Sequence, residues 1–477
     1  MAPQESVSYT QLKSINLQGC AGLTTRSLHH LLIRSRSLET LNLRGLSAVT
    51  NTTCEILATY CPSLTSLNLN RCVNMDAQGI QFMATAAIAR GEHLQLKELR
   101  LSGLKHTRDP MMGALGKAAP YLEILDLSYA RRLHNSSVEA FVACDDGEDV
   151  DHLGVPTIMV SARDLGREVT DVCYYRRRVT RLRHLNLSFC ILLTDTACTN
   201  LAYSVPRLEY FEMAGIGADL KEAGLIKLFD QTPFIKRIDL EDALDVGDSL
   251  LAALTPAPQP VGVSSSSDSQ PPQTGHALQH LNISCALNVR DQSMLALIRG
   301  CPKLTGLEAD GTTMGSNVLR EFVRLSKERK ALNAKIVGVD CRGVSENVVK
   351  ELSGSTRPRQ GWRSYASRRL YYLDSRDGNE EDLKIGQDEC DENRVVLKTF
   401  YSWQTVDAVK ANREKRKKAS GNASGRRAGN GSNGSDYDDG GRGGRTRWWS
   451  PGGSRSAGSG RTSPLSLSEF NEGCRAM

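Results

Sequence analysis

Ten copies of the line Leu-x-x-Leu-x-Leu constrain this chain more than any other feature. The first is Leu12-Lys-Ser-Ile15-Asn-Leu17. Later copies open at Leu38, Leu64, Leu96, Leu122, Leu182, Leu208, Ile235, Leu278 and Leu304. The steps between them are 26, 26, 32, 26, 60, 26, 27, 43 and 26 residues. A short unit repeated at such a period cannot bury its apolar face alone. It must stack on its neighbours, so the chain is expected to form one continuous core.

Within a copy, alternation sets the conformation. In Leu64-Thr-Ser-Leu67-Asn-Leu69 the apolar residues at 67 and 69 flank a polar one, the period of a strand. Asp76 to Met83 then reads as a helix start, and Cys61-Pro62 as the stop of the preceding helix, because the residue before proline avoids the α region. Strand, turn and helix at a period near 26 define an α/β leucine-rich-repeat solenoid, a right-handed β-α horseshoe of about eleven repeats. The expected solenoid covers residues 9–352, with insertions near 145–180 and 255–276. The first insertion has room for one degenerate repeat plus a loop, with an acidic stretch at 145–151 and a basic one at 176–178. The second is rich in proline and serine and reads as a solvated loop. Residues 353–418 form an appendage with a strand near Val395 to Trp403 and a basic helix. Residues 419–477 are rich in glycine, serine and arginine and read as a disordered tail. Trp362, Phe400, Tyr401 and Trp403 are expected to be buried over the last repeat, since a solenoid end needs a cover.

The period and a cysteine eight residues after the first leucine, at Cys20, Cys72 and Cys190, resemble the cysteine-containing leucine-rich repeats of F-box proteins. Cys341 fits if a last repeat starts at Asn333, whereas Cys285 is displaced by one. The phrases Leu193-Thr-Asp195, Cys61-Pro-Ser-Leu64 and Cys301-Pro-Lys-Leu304 carry the same likeness. The tail is also similar to that of fungal F-box/leucine-rich-repeat proteins. The resemblance implies the substrate-binding arm of a ubiquitin ligase of the SCF type, with a cullin and its adaptor as further partners. It departs from that pattern because the first repeat begins at Leu12, which leaves no room upstream for an F-box. A relative lacking the F-box, of the antagonist-of-mitotic-exit-network type, makes a non-ligase adaptor or inhibitor the second reading.

The start of the chain lacks an apolar signal segment, and no apolar run approaches the length of a membrane span. The thirteen cysteines therefore read as reduced thiols, and the chain as cytoplasmic or nuclear. Their repeat position suits a small apolar thiol packed between strand and helix. Without a C-x-x-C pair, zinc is not expected. No P-loop, G-x-S-x-G or H-E-x-x-H occurs, so the expectation is a binding protein and not an enzyme, with no cofactor. Asn51-Thr-Thr and Asn186-Leu-Ser match the glycosylation spacing but carry little weight without secretion. In the tail, Arg413 to Lys418 suits a nuclear signal or a solvated helix end. Arg442-Gly-Gly with Arg445, Arg447, Trp448 and Trp449 offers a third reading, an RNA-associated scaffold, although nucleic acid is disfavoured as the main partner.

Outward positions of the strands supply candidate partner-binding residues on the concave face. They are Asn16, Asn42, Arg44, Asn68, Arg100, Asp126, Asn186, Tyr210, Glu212, Asp239, Glu241, Asn282, Glu308 and Asp310. The early part is neutral to basic and the late part acidic. That asymmetry predicts a protein partner with a basic segment docked on the second half. The alternative is a solvated face whose asparagines the repeat merely tolerates.

Overall fold

The computed structural model describes residues 9–144, 155–167, 170–257, 273–357 and 391–401. Eleven short strands recur in step with the leucine lines: β1 (Ser14–Asn16), β2 (Thr40–Asn42), β3 (Ser66–Asn68), β4 (Glu98–Arg100), β5 (Ile124–Asp126), β8 (His184–Asn186), β9 (Tyr210–Glu212), β10 (Arg237–Asp239), β11 (His280–Asn282), β12 (Gly306–Glu308) and β13 (Lys335–Gly338). Each pairs in parallel with the next, and a two-residue extension, β14 (Thr356–Arg357), and β15 (Val395–Thr399) complete a 13-stranded sheet. A helix follows each repeat strand, from α1 (Thr25–Ile33) to α11 (Glu346–Glu351). The fold is thus an α/β leucine-rich-repeat solenoid.

The repeat is held by three local devices. Leucines of the strands, helices and turns form one core cluster running from Ile15 to Leu397. After each repeat strand from β1 to β12 the chain turns through the left-handed region at one fixed place: Gly19, Gly45, Arg71, Gly103, Tyr129, Phe189, Gly215, Asp242, Cys285 and Gly311 all have positive φ. Glycine is required at Gly215, where a Cβ would meet the ring of Phe189 2.5 Å away. One residue later sits the cysteine. Cys72, Cys190 and Cys341 are buried, and their thiols donate to the carbonyls of Leu43, Leu127 and Ala309 at 3.3, 3.2 and 3.0 Å. Each such bond ties a turn to the unit before it. Cys20, in the first unit, is exposed, and Cys285, shifted by one residue, is half-buried.

Three expectations need correction. The 60-residue step contains no degenerate repeat, because β5 pairs directly with β8. The insertion instead folds back as an antiparallel hairpin, β6 (Thr157–Ser161) with β7 (Tyr174–Arg178). Glu139 of α5 (Asn135–Val142) clamps it, bound by Arg177 at 2.6 Å and Arg167 at 2.5 Å. Arg167 also lies 3.9 Å over the Tyr175 ring. Two of the three arginines at 176–178, Arg177 and Arg178, are buried, so this stretch is not a basic surface patch.

The sheet also runs past residue 352. β15 lies in it between β13 and β14, not in a separate appendage, and its Val395, Val396 and Leu397 are buried. Among the described residues, the aliphatic side chains of β15 cover the edge of the last repeat. Phe400 is 50% exposed and Tyr401 half-buried. Trp362, Trp403, the helix expected over 405–418 and the 419–477 tail lie outside the described residues, as do the acidic stretch at 145–151 and most of the proline-serine loop.

Candidate protein-binding face

Strand register brings the polar residues between the inward leucines into one row. Asn16, Asn42, Asn68, Arg100, Asp126, Asn186, Glu212, Asp239, Asn282 and Glu308 are successive partners across β1 to β12. They lie side by side at about 4.8 Å spacing on the face away from the core. A second row, two residues on, holds Arg44, Glu241 and Asp310.

Much of the first row builds the repeat itself. The side-chain oxygens of Asn16, Asn42, Asn68, Asp126, Asn186, Asp239 and Asn282 each accept the backbone N–H two residues later, at 3.0 to 3.4 Å. This closes the turn into the left-handed residue. Asp126 and Asn282 are buried by it: their oxygens also accept the hydroxyls of Ser128 at 2.7 Å and Ser284 at 2.8 Å. These two were expected to face outward, but their polar atoms are consumed internally. Asn186-Leu-Ser188 is the same device, so its match to a glycosylation signal has a structural cause. An Asp or Asn followed two residues later by Ser was the signal to read.

The remaining charges fall into two groups. The first is internally neutralised. Glu212 accepts from the Asn186 amide at 2.6 Å and lies 3.3 Å from His184 Nε2, which holds its carboxyl below the usual range. Glu308 lies 2.9 Å from His280 Nε2 and 2.8 Å from Lys335 Nζ. Burial pushes its carboxyl up, but the hydrogen bond from His280 and the charge and hydrogen bond of Lys335 outweigh burial and hold it at about 2. On the early strands Arg100 is bound to Glu98 at 2.5 Å. Tyr210 is exposed, with its ring 5.6 Å from that of His184.

The second group is Asp239, Glu241 and Asp310. Burial raises all three carboxyls, and neighbouring carboxylates add to it. At Glu241 the repulsion comes from Asp239, Asp242, Glu308 and Asp310 together. Asp310 accepts the backbone N–H of Val339. Among the described residues no ion pair reaches Glu241 or Asp310. Asp239 has one long ion pair, to Arg237 at 3.7 Å, so the negative charge without an ion pair among the described residues is that of Glu241 and Asp310.

The buried repeat cysteines offer no nucleophile at neutral pH. Burial pushes the thiols of Cys61 and Cys72 to about 11 and those of Cys54, Cys190 and Cys301 to about 12. No cluster of metal-ligating side chains occurs among the described residues, and no described helix is long and apolar enough to cross a membrane.

No family model matches the sequence, and no curated protein does. Among solved structures the chain is similar to a chain of the Rad7 and Elc1 complex in yeast, at 16% identity over 72% of this chain and 79% of that one, with a TM-score of 0.45. It is similar to TLR13 in its complex with ssRNA13, at 16% identity over 69% of this chain and 39% of that one, TM-score 0.35. It also matches the leucine-rich repeat-containing protein LegL7 from Legionella pneumophila, at 14% identity over 65% and 89%, TM-score 0.34. The fold itself is defined by this chain's own ladder of parallel strands.

Proposed function

We propose that this protein is a recognition module that holds a protein partner on the strand face of its later repeats. The partner presents a basic segment to Asp239, Glu241 and Asp310. The observation that carries this reading is the setting of Glu241, which has Asp239, Asp242, Glu308 and Asp310 as charged neighbours and is reached by no ion pair among the described residues. A like-charged cluster of this kind lowers the stability of the free protein, and a cationic ligand relieves it. Glu212 and Glu308, although in the same row, already have internal partners, His184 for the first and His280 with Lys335 for the second, and contribute less.

The finer assignment is a substrate-binding component of an SCF-type ubiquitin ligase, which the cysteine offset supports through the likeness of the repeats to those of F-box proteins. The second reading, an adaptor or inhibitor of a signalling partner, shares the same docking face. Affinity purification of the tagged full chain with mass spectrometry separates them. Cullin and its adaptor accompany the chain in the first case; one dominant other partner does so in the second. In either case Glu241→Lys with Asp310→Lys should abolish a salt-sensitive capture. Unchanged capture by that folded variant would refute the docking face.

A further inference from the structure

Five residues after the ladder, each repeat leaves one position outside the core. It is occupied by Lys105, Arg131, Thr313 and Arg342 in four units, so the repeat itself demands nothing apolar there. Yet large aliphatic residues stand at it in the early unit of Val73, 58% exposed, and in three later units, Ile191, 56%, Leu244, 43%, and Leu287, 61%, with Gly217 in the unit between Ile191 and Leu244. Leu244 and Leu287 belong to adjacent units, because Asp239 and Asn282 are register partners. The buried residues on either side, Ala243 and Val246, Ala286 and Val289, already fill the packing positions of these turns. The two leucines therefore have no internal role, and together they form a stripe along the loop edge of the sheet. Single exposed leucines are ordinary, but an ordered pair at one repeat position is a candidate contact.

Acidic side chains border this stripe. Asp242 lies two residues before Leu244 in the same turn, and Glu241 and Asp310 hold the position two residues after the ladder in the units of β10 and β12. From the stripe and its charged border we infer that the docked segment is a basic amphipathic helix, laid along the loop edge of repeats six to ten. Spacing supports a helix. Adjacent repeats stand about 4.8 Å apart, and side chains at i, i+3 and i+4 on one helix face stand about 5–6 Å apart. A helix lying along the sheet can thus set one apolar side chain on each repeat, with lysine or arginine flanking it toward Glu241, Asp242 and Asp310. The distance from Ile191 to Leu287 spans three repeats, about 15 Å, or about ten residues of helix.

The inference rests on the reading of the acidic face given above, and the test separates the two. The probe is a synthetic helical peptide of about 18 residues, with leucines on one face and lysines beside them. A control of identical composition has its leucines dispersed around the helix. Binding to the full-length protein is followed by fluorescence anisotropy in low and high salt. The amphipathic peptide should bind at least tenfold more tightly than the control. Leu244→Ser with Leu287→Ser should weaken it about a hundredfold, roughly tenfold for each leucine removed from the contact. Both side chains are exposed, so the thermal midpoint of this variant should match the parent. If both peptides bind alike and only Glu241→Lys with Asp310→Lys weakens them, the face reads charge alone and the helix inference fails while the acidic docking face stands. If neither pair of substitutions alters binding, both fail.

Discussion

Replacing Glu308 by glutamine should destabilise the protein near neutral pH by about 2 kcal/mol, and the loss should shrink in acid. The side chain is three-quarters buried and contacts His280 at 2.9 Å and Lys335 at 2.8 Å. Its carboxyl falls from an ordinary 4.5 to about 2. At about 1.4 kcal/mol per pH unit, that depression corresponds to about 3 kcal/mol. Solvent at Lys335 and the hydrogen bonds that glutamine retains reduce it to about 2 kcal/mol. The folded carboxyl is the stronger acid, so its stabilisation is complete above pH 4.5 and drains away as pH falls toward 2. The assay is urea denaturation of parent and variant between pH 7 and pH 3.5. Curves should lie apart at pH 7 and converge below pH 4.5, the parent losing stability faster. Equal stability at pH 7, or a gap that stays constant with pH, would refute the argument. Glu241→Gln should behave in the opposite sense. Its carboxyl is raised, so ionisation opposes folding above the ordinary carboxylate range, and the variant should match or exceed the parent at pH 7.

Other outcomes follow from parts of the fold away from the acidic face. Gly116→Ala and Gly224→Ala gain about 1 kcal/mol of helix propensity each, yet a Cβ would collide with the backbone carbonyl of Phe141 or Asp195. Overpacking should outweigh propensity, for a net loss of about 1–2 kcal/mol in thermal or urea unfolding. Glu139→Gln leaves buried Arg177 without its carboxylate and should destabilise the hairpin region by about 3 kcal/mol. Limited proteolysis should then cut the 155–178 region faster while peptide binding at the later repeats is unchanged. On treatment with iodoacetamide at pH 8, Cys20 should react before the other cysteines of the described residues. Cys173, also exposed but with its thiol raised by a hydrogen bond to Asp171, should follow, and buried Cys72, Cys190 and Cys301 should stay protected until the protein unfolds. Peptide mapping reads the order.

Leucine spacing made the ladder legible because parallel pairing at equal repeat positions leaves no choice of register. Ten of the eleven repeat strands fall on a Leu-x-x-Leu-x-Leu line, β13 being the exception, and the residues between the inward leucines do share one face. Three things were not legible. The hairpin at 157–178 has its own local pairing and carries no repeat signal. Insertion of β15 between β13 and β14 is a long-range event, fixed by apolar Val395, Val396 and Leu397 finding an open sheet edge. Which ladder residues are free depends on side-chain bonds that periodicity cannot express. Asp126 and Glu241 look alike as exposed acids in the sequence; in the structure one is locked to Ser128 and the other stands among carboxylates.

The order in which β15 and β14 join the sheet gives the chain a timetable. Repeat strands β1 to β13 each find their partner within the preceding one or two repeats, so stacking can follow the chain as it emerges from the ribosome. The edge of β13 cannot be closed that way. Its partner begins at Val395, nearly sixty residues beyond Gly338 and separated from it by β14, which must itself wait to pair with β15. Until that segment is made, Ile336 and its neighbours present an open parallel edge, the surface most prone to pair with another chain. A premature stop anywhere between 358 and 394 would therefore leave every repeat written and the last one unsealed.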